Sequence, residues 1–325
     1  MIALIPFIIG VALFLLSITA MSRALSSLVR VRASVALQQA AVLPAFISGL
    51  VVTAMVQSSS LVSVVLVGLA EAEMLSLGSA FAAVLGANVG TTLTAQIAGV
   101  RPGWLGWAAG CAGIVLVISG RRRGDRGHVG RAALGLAGLI LGLGLMESAC
   151  SGATDSKTLR LVLTLSSVNP LLSAVVGAAA TAVIQSSSLF SSILVYLARS
   201  GLVPVEAAVS MVIGSNVGTC VTALIASFGT PGSGRALARA NALFNFIGAC
   251  AFLPFVRPFC ALLELFSPDP GRLVANAHFL FNAITAAAFL PVAPSFAALV
   301  RGSRMPGVRV RRLRSLLCSS GSSKG

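Results

Sequence analysis

Four residues, Gln57-Ser58-Ser59-Ser60, return as Gln185-Ser186-Ser187-Ser188, 128 positions further along the chain. At the same offset Asn88-Val89-Gly90-Thr91 returns as Asn216-Val217-Gly218-Thr219. Aligned without a gap, residues 57–98 match 185–226 at about half of their positions. Gly49 with Gly177, and Thr53 with Thr181, carry the register upstream. Two motifs kept in step over this distance mark a duplicated unit, so the fold must contain two like halves.

Composition decides the solvent of those halves. The chain is 57% hydrophobic and only 10% charged, with a mean hydropathy of +0.98. Soluble domains carry roughly 25% charged residues, so this surface belongs in lipid. The 325 residues allow about six to nine spanning segments. A net charge of +15 comes from Arg in short loops and in the tail Arg301–Lys324, a distribution that fits the positive-inside rule and excludes nucleic acid. Cys111, Cys150, Cys220, Cys250, Cys260 and Cys318 form no C-x-x-C pair and read as small hydrophobes.

Each half has one order of segments. A hydrophobic helix (2–22, then 132–149) precedes a more polar amphipathic stretch (23–40, then 153–167). An apolar run carrying the QSSS motif follows (44–70, then 170–199). Each run is longer than one crossing needs and is interrupted by polar residues, which predicts two half-length arms meeting at a tip, a re-entrant hairpin. The next segment (74–99, then 203–228) has glycines around an asparagine at Gly86–Thr91 and Gly214–Thr219, where an unwound, broken helix is expected. A further helix (104–119, then 236–256) closes each half, and 273–300 is added at the end. A smaller likeness pairs Ala240–Asn245 with Ala277–Asn282, each followed by Phe-Leu-Pro. Gly106–Gly110 and Gly138–Gly142 read as helix-packing pairs.

The expected fold is thus an all-α integral membrane protein of two inverted repeats, each with a re-entrant QSSS hairpin and a broken helix, plus one extra C-terminal helix. The units expected are 1–122 and 123–256 for the repeats, 257–300 for the added segment and 301–325 for a basic cytoplasmic tail. Hairpins that return to their starting side leave three crossings per half, and an odd number inverts the second half. Under this topology 17 Lys and Arg lie on one side and 6 on the other. The richer side is cytoplasmic, which places the N-terminus outside and the C-terminus inside a multi-pass cell (inner or plasma) membrane protein.

Paired discontinuous helices in inverted repeats point to a midplane site in a secondary transporter. Gln57, Ser58, Ser59, Ser60 and Gln185, Ser186, Ser187, Ser188 offer two amides and six hydroxyls, all able to donate to an oxyanion. Neutral oxygens at the helix breaks suit a monovalent cation. The eight acidic residues fall at segment ends or in loops, and neither motif holds a carboxylate, which favours sodium over a proton as driving ion. His278 is the one candidate proton carrier, though a packed helix histidine is the favoured reading; Asn245 and Asn282 read as interhelical glue ahead of ligands. No His or Lys accompanies QSSS, which counts against an intramembrane serine hydrolase; a membrane scaffold is the other reading outside transport.

These doubled motifs, Gln57–Ser60 with Gly86–Thr92 and Gln185–Ser188 with Gly214–Thr219, resemble the type II sodium–phosphate cotransporters and their bacterial relatives over roughly residues 2–300. The resemblance implies symport of inorganic phosphate with Na+ by alternating access. It implies that the eight QSSS residues face phosphate, and that Ser63, Asn88, Thr91, Thr92, Ser191, Asn216 and Thr219 are candidates for sodium. Cys220 stands where the first half has Thr92, so the halves are not chemically equal there. A transporter of another oxyanion, or a phosphate exporter, is the alternative within the class. Phosphate and membrane lipid are the expected partners, with a homo-oligomer left open.

Overall fold

The computed structural model describes residues 4–28, 41–100, 103–120, 125–152, 169–230 and 232–302. Most of both amphipathic stretches, the loop 121–124 and the tail Val308–Leu317 lie outside the described residues. Every regular element is helical, with no strand among the described residues. In chain order the α-helices are α1 (Leu4–Leu28), α2 (Val42–Val56), α3 (Ser59–Glu71), α4 (Leu77–Gly90), α5 (Leu93–Val100), α6 (Gly103–Ser119) and α7 (Asp125–Gly152). There follow α8 (Pro170–Ile184), α9 (Ser187–Arg199), α10 (Val205–Ala226), α11 (Ser233–Phe252), α12 (Val256–Glu264), α13 (Pro270–Phe289) and α14 (Ala293–Arg301).

Among the described residues, six helical stretches are long and apolar enough to cross a membrane, including Ser233–Glu264 and Pro270–Arg301, each 32 residues. α6, at 17 residues, sits at the lower bound for a crossing. Both 32-residue stretches pass through a 3₁₀ turn, at Leu253–Phe255 and Leu290–Val292. The cause is Pro254 and Pro291, whose missing N–H breaks the α-helical ladder. This is the physical content of the repeated Phe-Leu-Pro. Trp104, Trp107, Ile118, Val183 and Leu265 stand outward with most of their surface uncovered, as a lipid-facing exterior requires.

The QSSS runs do form two-armed hairpins. α2 and α3, of 15 and 13 residues, are joined through Gln57-Ser58, and α8 and α9 have the same lengths on either side of Gln185-Ser186. Neither arm is long enough to span lipid alone. Each first arm packs on the helix that follows its hairpin by backbone-to-backbone approach. A Cβ added at Gly49 would stand 2.0 Å from Ala83 O, and one at Gly177 2.0 Å from Met211 O. At Gly86 and Gly214 the distances would be 1.9 Å to Phe46 O and 1.9 Å to Ala174 O. All four pairs keep the 128-residue register, so the duplication in sequence is also a duplication of packing.

That packing corrects one expectation. The first motif segment is interrupted at Thr91-Thr92, between α4 and α5. Its counterpart α10 runs unbroken through Gly214–Thr219. The glycines there are used for close contact: a Cβ at Gly218 would stand 2.3 Å from Ala178 O. Burial against α8 stabilises a helix whose intrinsic propensity at these positions is poor.

α1, α6 and α7 form a small bundle of their own. Gly138 and Gly142 sit against Ser17 and Gly10 of α1, and Gly106 and Gly110 face Ile140 and Ala137 of α7. Elsewhere the core is mainly Ala, Leu and Val, with one aromatic cluster in which Phe81, Phe244, Phe289 and Phe296 join α4, α11, α13 and α14 with ring centroids 5.0–6.0 Å apart. The second arms are tied down at their far ends by opposite charges at equivalent positions. Glu71 accepts from Gly232 N (3.2 Å) and Gly234 N (2.8 Å) at the start of α11. Arg199 donates to Asp269 (2.9 Å), the N-cap of α13, and to Gly99 O (2.8 Å) at the end of α5.

Candidate functional site

The two hairpin tips are built alike. Gln57 and Gln185 end their first arms in the left-handed region, at φ 57°, ψ 25° and φ 57°, ψ 22°. Each backbone N–H closes the arm on Thr53 O or Thr181 O at 2.7 Å. Ser58 and Ser186 then extend, at φ −145° and −140°, and cap the second arm by accepting from Leu61 N and Leu189 N. A left-handed residue followed by an extended one reverses the chain within two positions. Left-handed backbone at a residue other than glycine costs of order 1–3 kcal/mol and collects at functional sites.

All eight QSSS residues line one cavity of about 380 Å³. The tips therefore converge, with the first turns of α3 and α9 at its wall. Helix N-termini carry about half a positive elementary charge each and direct N–H groups outward, a setting suited to an anion. The second tip is tied to the break between α4 and α5, where the Thr91 and Ser188 hydroxyls lie 3.0 Å apart. The glutamines differ. Gln57 is buried, its Oε1 accepting from Thr94 Oγ1 and its Nε2 donating to Ala54 O. Gln185 is exposed at the cavity.

Of the sodium candidates, Thr91 lines this cavity; Ser63, Asn88, Thr92, Ser191, Asn216 and Thr219 do not. All but Thr219 are buried. Several are committed within their own helices: Thr92 Oγ1 donates to Val89 O, Asn216 Nδ2 to Val212 O and Thr219 Oγ1 to Asn216 O. Ser191 Oγ and Asn88 Nδ2 are buried without a hydrogen-bond partner, and so are the equivalent Thr53 Oγ1 and Thr181 Oγ1 at the ends of the first arms. A hydroxyl buried without a partner leaves both its donor and its acceptor capacity unsatisfied, which native interiors rarely tolerate.

His278, Asn245 and Asn282 lie apart from the cavity lining, all buried on α11 and α13. Asn245 donates to Cys220 Sγ (3.3 Å) and to Asn241. Asn282 donates to His278 O (2.9 Å), while both His278 ring nitrogens lack a partner.

One lining residue escaped the sequence reading. Arg23 was expected in a polar stretch past the end of the first helix, but α1 continues to Leu28 and Arg23 faces the QSSS cavity beside Thr19 and Ser22. The second hydrophobic helix likewise starts early, at Asp125 instead of residue 132, because an acidic first residue favours a helix N-terminus. A helical reading of the interval Ser17-Ala20-Ala24, which keeps small residues on one face past Arg23, was the available signal.

No solved structure matches this chain. YjbB of Salmonella typhimurium, named for inorganic phosphate export, is 31% identical over 224 residues, 69% of this chain and 41% of that protein. YqeW of Bacillus subtilis is 30% identical over 225 residues, covering 69% and 73%. Human sodium-dependent phosphate transport protein 2B is 37% identical over 87 residues, 26% of this chain and 13% of that protein. The chain thus spans about two fifths of the length of the YjbB relatives. The family described as Na+/Pi-cotransporter matches residues 13–148 and 151–258, three quarters of the sequence. With six membrane-length apolar helices among its described residues, this chain is a multi-pass membrane protein and belongs to the Na+/Pi-cotransporter family.

Proposed function

We propose that the chain carries inorganic phosphate across the cell membrane coupled to sodium, by alternating access, with both hairpin tips forming a single phosphate site. The observation that carries this reading is the convergence of Gln57–Ser60 and Gln185–Ser188 on one cavity. Phosphate there meets hydroxyls, amides and two helix N-termini. Dipoles supply only part of the charge a divalent anion needs, so bound sodium contributes the rest, and the two ligands raise each other's affinity equally. Ser63, Asn88, Thr91, Thr92, Ser191, Asn216 and Thr219 are the proposed sodium set, to which the orphaned Thr53 and Thr181 hydroxyls are added. The family is one of cotransporters, which sets the hydrolase reading aside.

The proposed topology keeps the N-terminus outside and the C-terminus inside, with α6 as a seventh crossing and the second half inverted. The α1 wall of the cavity runs from Leu15 to Arg23, toward the cytoplasmic end of that helix under this orientation. Phosphate in this conformation would exchange with the inner side. The relatives named for phosphate export favour outward net movement as a second reading.

Uptake of ³²P-phosphate into proteoliposomes tests the proposal, with an inward sodium gradient against choline at equal ionic strength. Accumulation that needs sodium, and that excess sulfate leaves intact, is expected. Equal uptake in choline, or uptake driven by a pH gradient alone, would refute sodium coupling.

A further inference from the structure

A second cavity, of about 600 Å³, lies between α1 and the N-terminal part of α7. Its lining includes Ser17, Arg23, His128 and Arg131 and no carboxylate. Arg131 Nη2 lies 2.9 Å from His128 Nδ1. A guanidinium has no lone pair to offer, so Nδ1 accepts and the ring proton sits on Nε2. The pair is thereby a set of donors. Arg23 lines this cavity and the QSSS cavity both, so the two share a wall at its side chain.

The positive-inside rule accounts for basic residues at one membrane face, but it asks only for proximity to the headgroups. It does not require Arg23, His128 and Arg131 to converge from two helices on one cavity, nor that cavity to adjoin a site built for an anion. Guanidinium groups match phosphate oxygens in bidentate geometry, with charge-assisted hydrogen bonds about twice as strong as neutral ones. We propose that Arg23, His128 and Arg131 form a second anion subsite, an antechamber that holds a phosphate group beside the QSSS cavity. Its occupant is either free phosphate on its way to or from that cavity or the phosphodiester headgroup of an anionic lipid. The role as antechamber rests on the phosphate reading of the QSSS cavity; the subsite itself does not.

The test keeps the two apart. Binding of ³²P-phosphate to the purified full chain is measured in nanodiscs of neutral phosphatidylcholine and of phosphatidylcholine with phosphatidylglycerol. The backgrounds are wild type and Gln57→Ala/Gln185→Ala, each with and without Arg131→Gln, His128→Gln or Arg23→Gln. Arg131→Lys and Arg23→Lys, which keep the charge, and monodisperse elution control for folding. The Gln57→Ala/Gln185→Ala protein is expected to retain weaker, salt-sensitive phosphate binding in neutral nanodiscs, and Arg131→Gln to lower it by roughly 5-fold or more. If a headgroup is the occupant, phosphatidylglycerol suppresses this binding and co-purifies less with the Gln variants. Failure of the QSSS reading alone would show as equal binding in the two backgrounds with the Arg131→Gln effect intact. The subsite is overturned if none of the three Gln variants alters either phosphate binding or phosphatidylglycerol retention.

Discussion

Gly214→Ala adds one methyl group where α8 and α10 touch. The new Cβ would stand 1.9 Å from Ala174 O, against a practical limit near 3.0 Å, so the helices must part by about 1.1 Å. A gap of that size forfeits about a quarter to a half of each dispersion contact along the crossing. Both colliding groups are on helix backbones and no side chain can swing aside, which puts the overpacking cost at the upper end of the usual ~1–3 kcal/mol. Alanine returns up to about 1 kcal/mol of helix propensity. The net loss is about 2 kcal/mol, and Gly86→Ala, with its 1.9 Å approach to Phe46 O, should behave alike. Gly68→Ala is the counterweight, since an added Cβ there meets nothing within 4 Å, and it should be neutral or stabilising. Thermal unfolding read by a thiol-reactive dye suits this chain once the exposed Cys111 and Cys250 are replaced by serine, because Cys220 and Cys260 are free and buried. A midpoint lowered by roughly 3–6 °C is expected for Gly214→Ala and Gly86→Ala. Midpoints at or above wild type in both would show that the hairpins do not approach their partner helices as closely as described.

The clasps at the hairpin ends give further tests. Arg199→Met breaks an ion pair whose arginine side is only 5% exposed, while Asp269, 37% exposed, keeps its capping bond from Arg272 N, so the cost is about 1–2 kcal/mol, readable in the same thermal assay. Unchanged stability would mean that the contact at the end of α5 carries no load. Glu71→Ala removes the acceptor for two amides at the start of α11 and should cost about 1–2 kcal/mol, with Glu71→Gln intermediate. A Gln variant weaker than the Ala variant would contradict this capping role. Thr91→Val removes the hydroxyl that meets Ser188 of the second tip and should lower phosphate affinity roughly 5-fold, measured by equilibrium binding.

The hairpins were legible because Gln57 and Gln185 are polar interruptions of runs too long for one crossing and too apolar for loops. Their convergence was legible because the same motif sits at the same place in each half. Less visible was the use made of glycine. Gly86 and Gly214 look identical in sequence, and a glycine beside an asparagine signals unwinding as readily as close packing; only the neighbouring helix decides. Arg23 was missed because a charge at the end of an apolar run reads as the start of a loop, whereas a long, flexible arginine can remain helical and turn into a polar cavity. The clasps had a signal that went unused. Glu71 and Arg199 align at the 128-residue offset with opposite charge, and a mismatch of that kind inside a duplication implies different partners.

Stoichiometric binding of ³²P-phosphate to purified Gln57→Ala, Gln185→Ala and the double variant, in saturating sodium, tests most directly whether two motifs make one site. A shared site predicts about one high-affinity, sodium-dependent phosphate per chain in the wild type, counted apart from the weaker, salt-sensitive binding at Arg23, His128 and Arg131. Each single variant then weakens affinity, by roughly 5- to 150-fold for a lost donor to a desolvated anion, without halving the wild-type capacity. A high-affinity capacity that starts at two and falls to one in each single variant, at unchanged affinity, would mean two independent QSSS sites and would contradict the convergence on which the account stands.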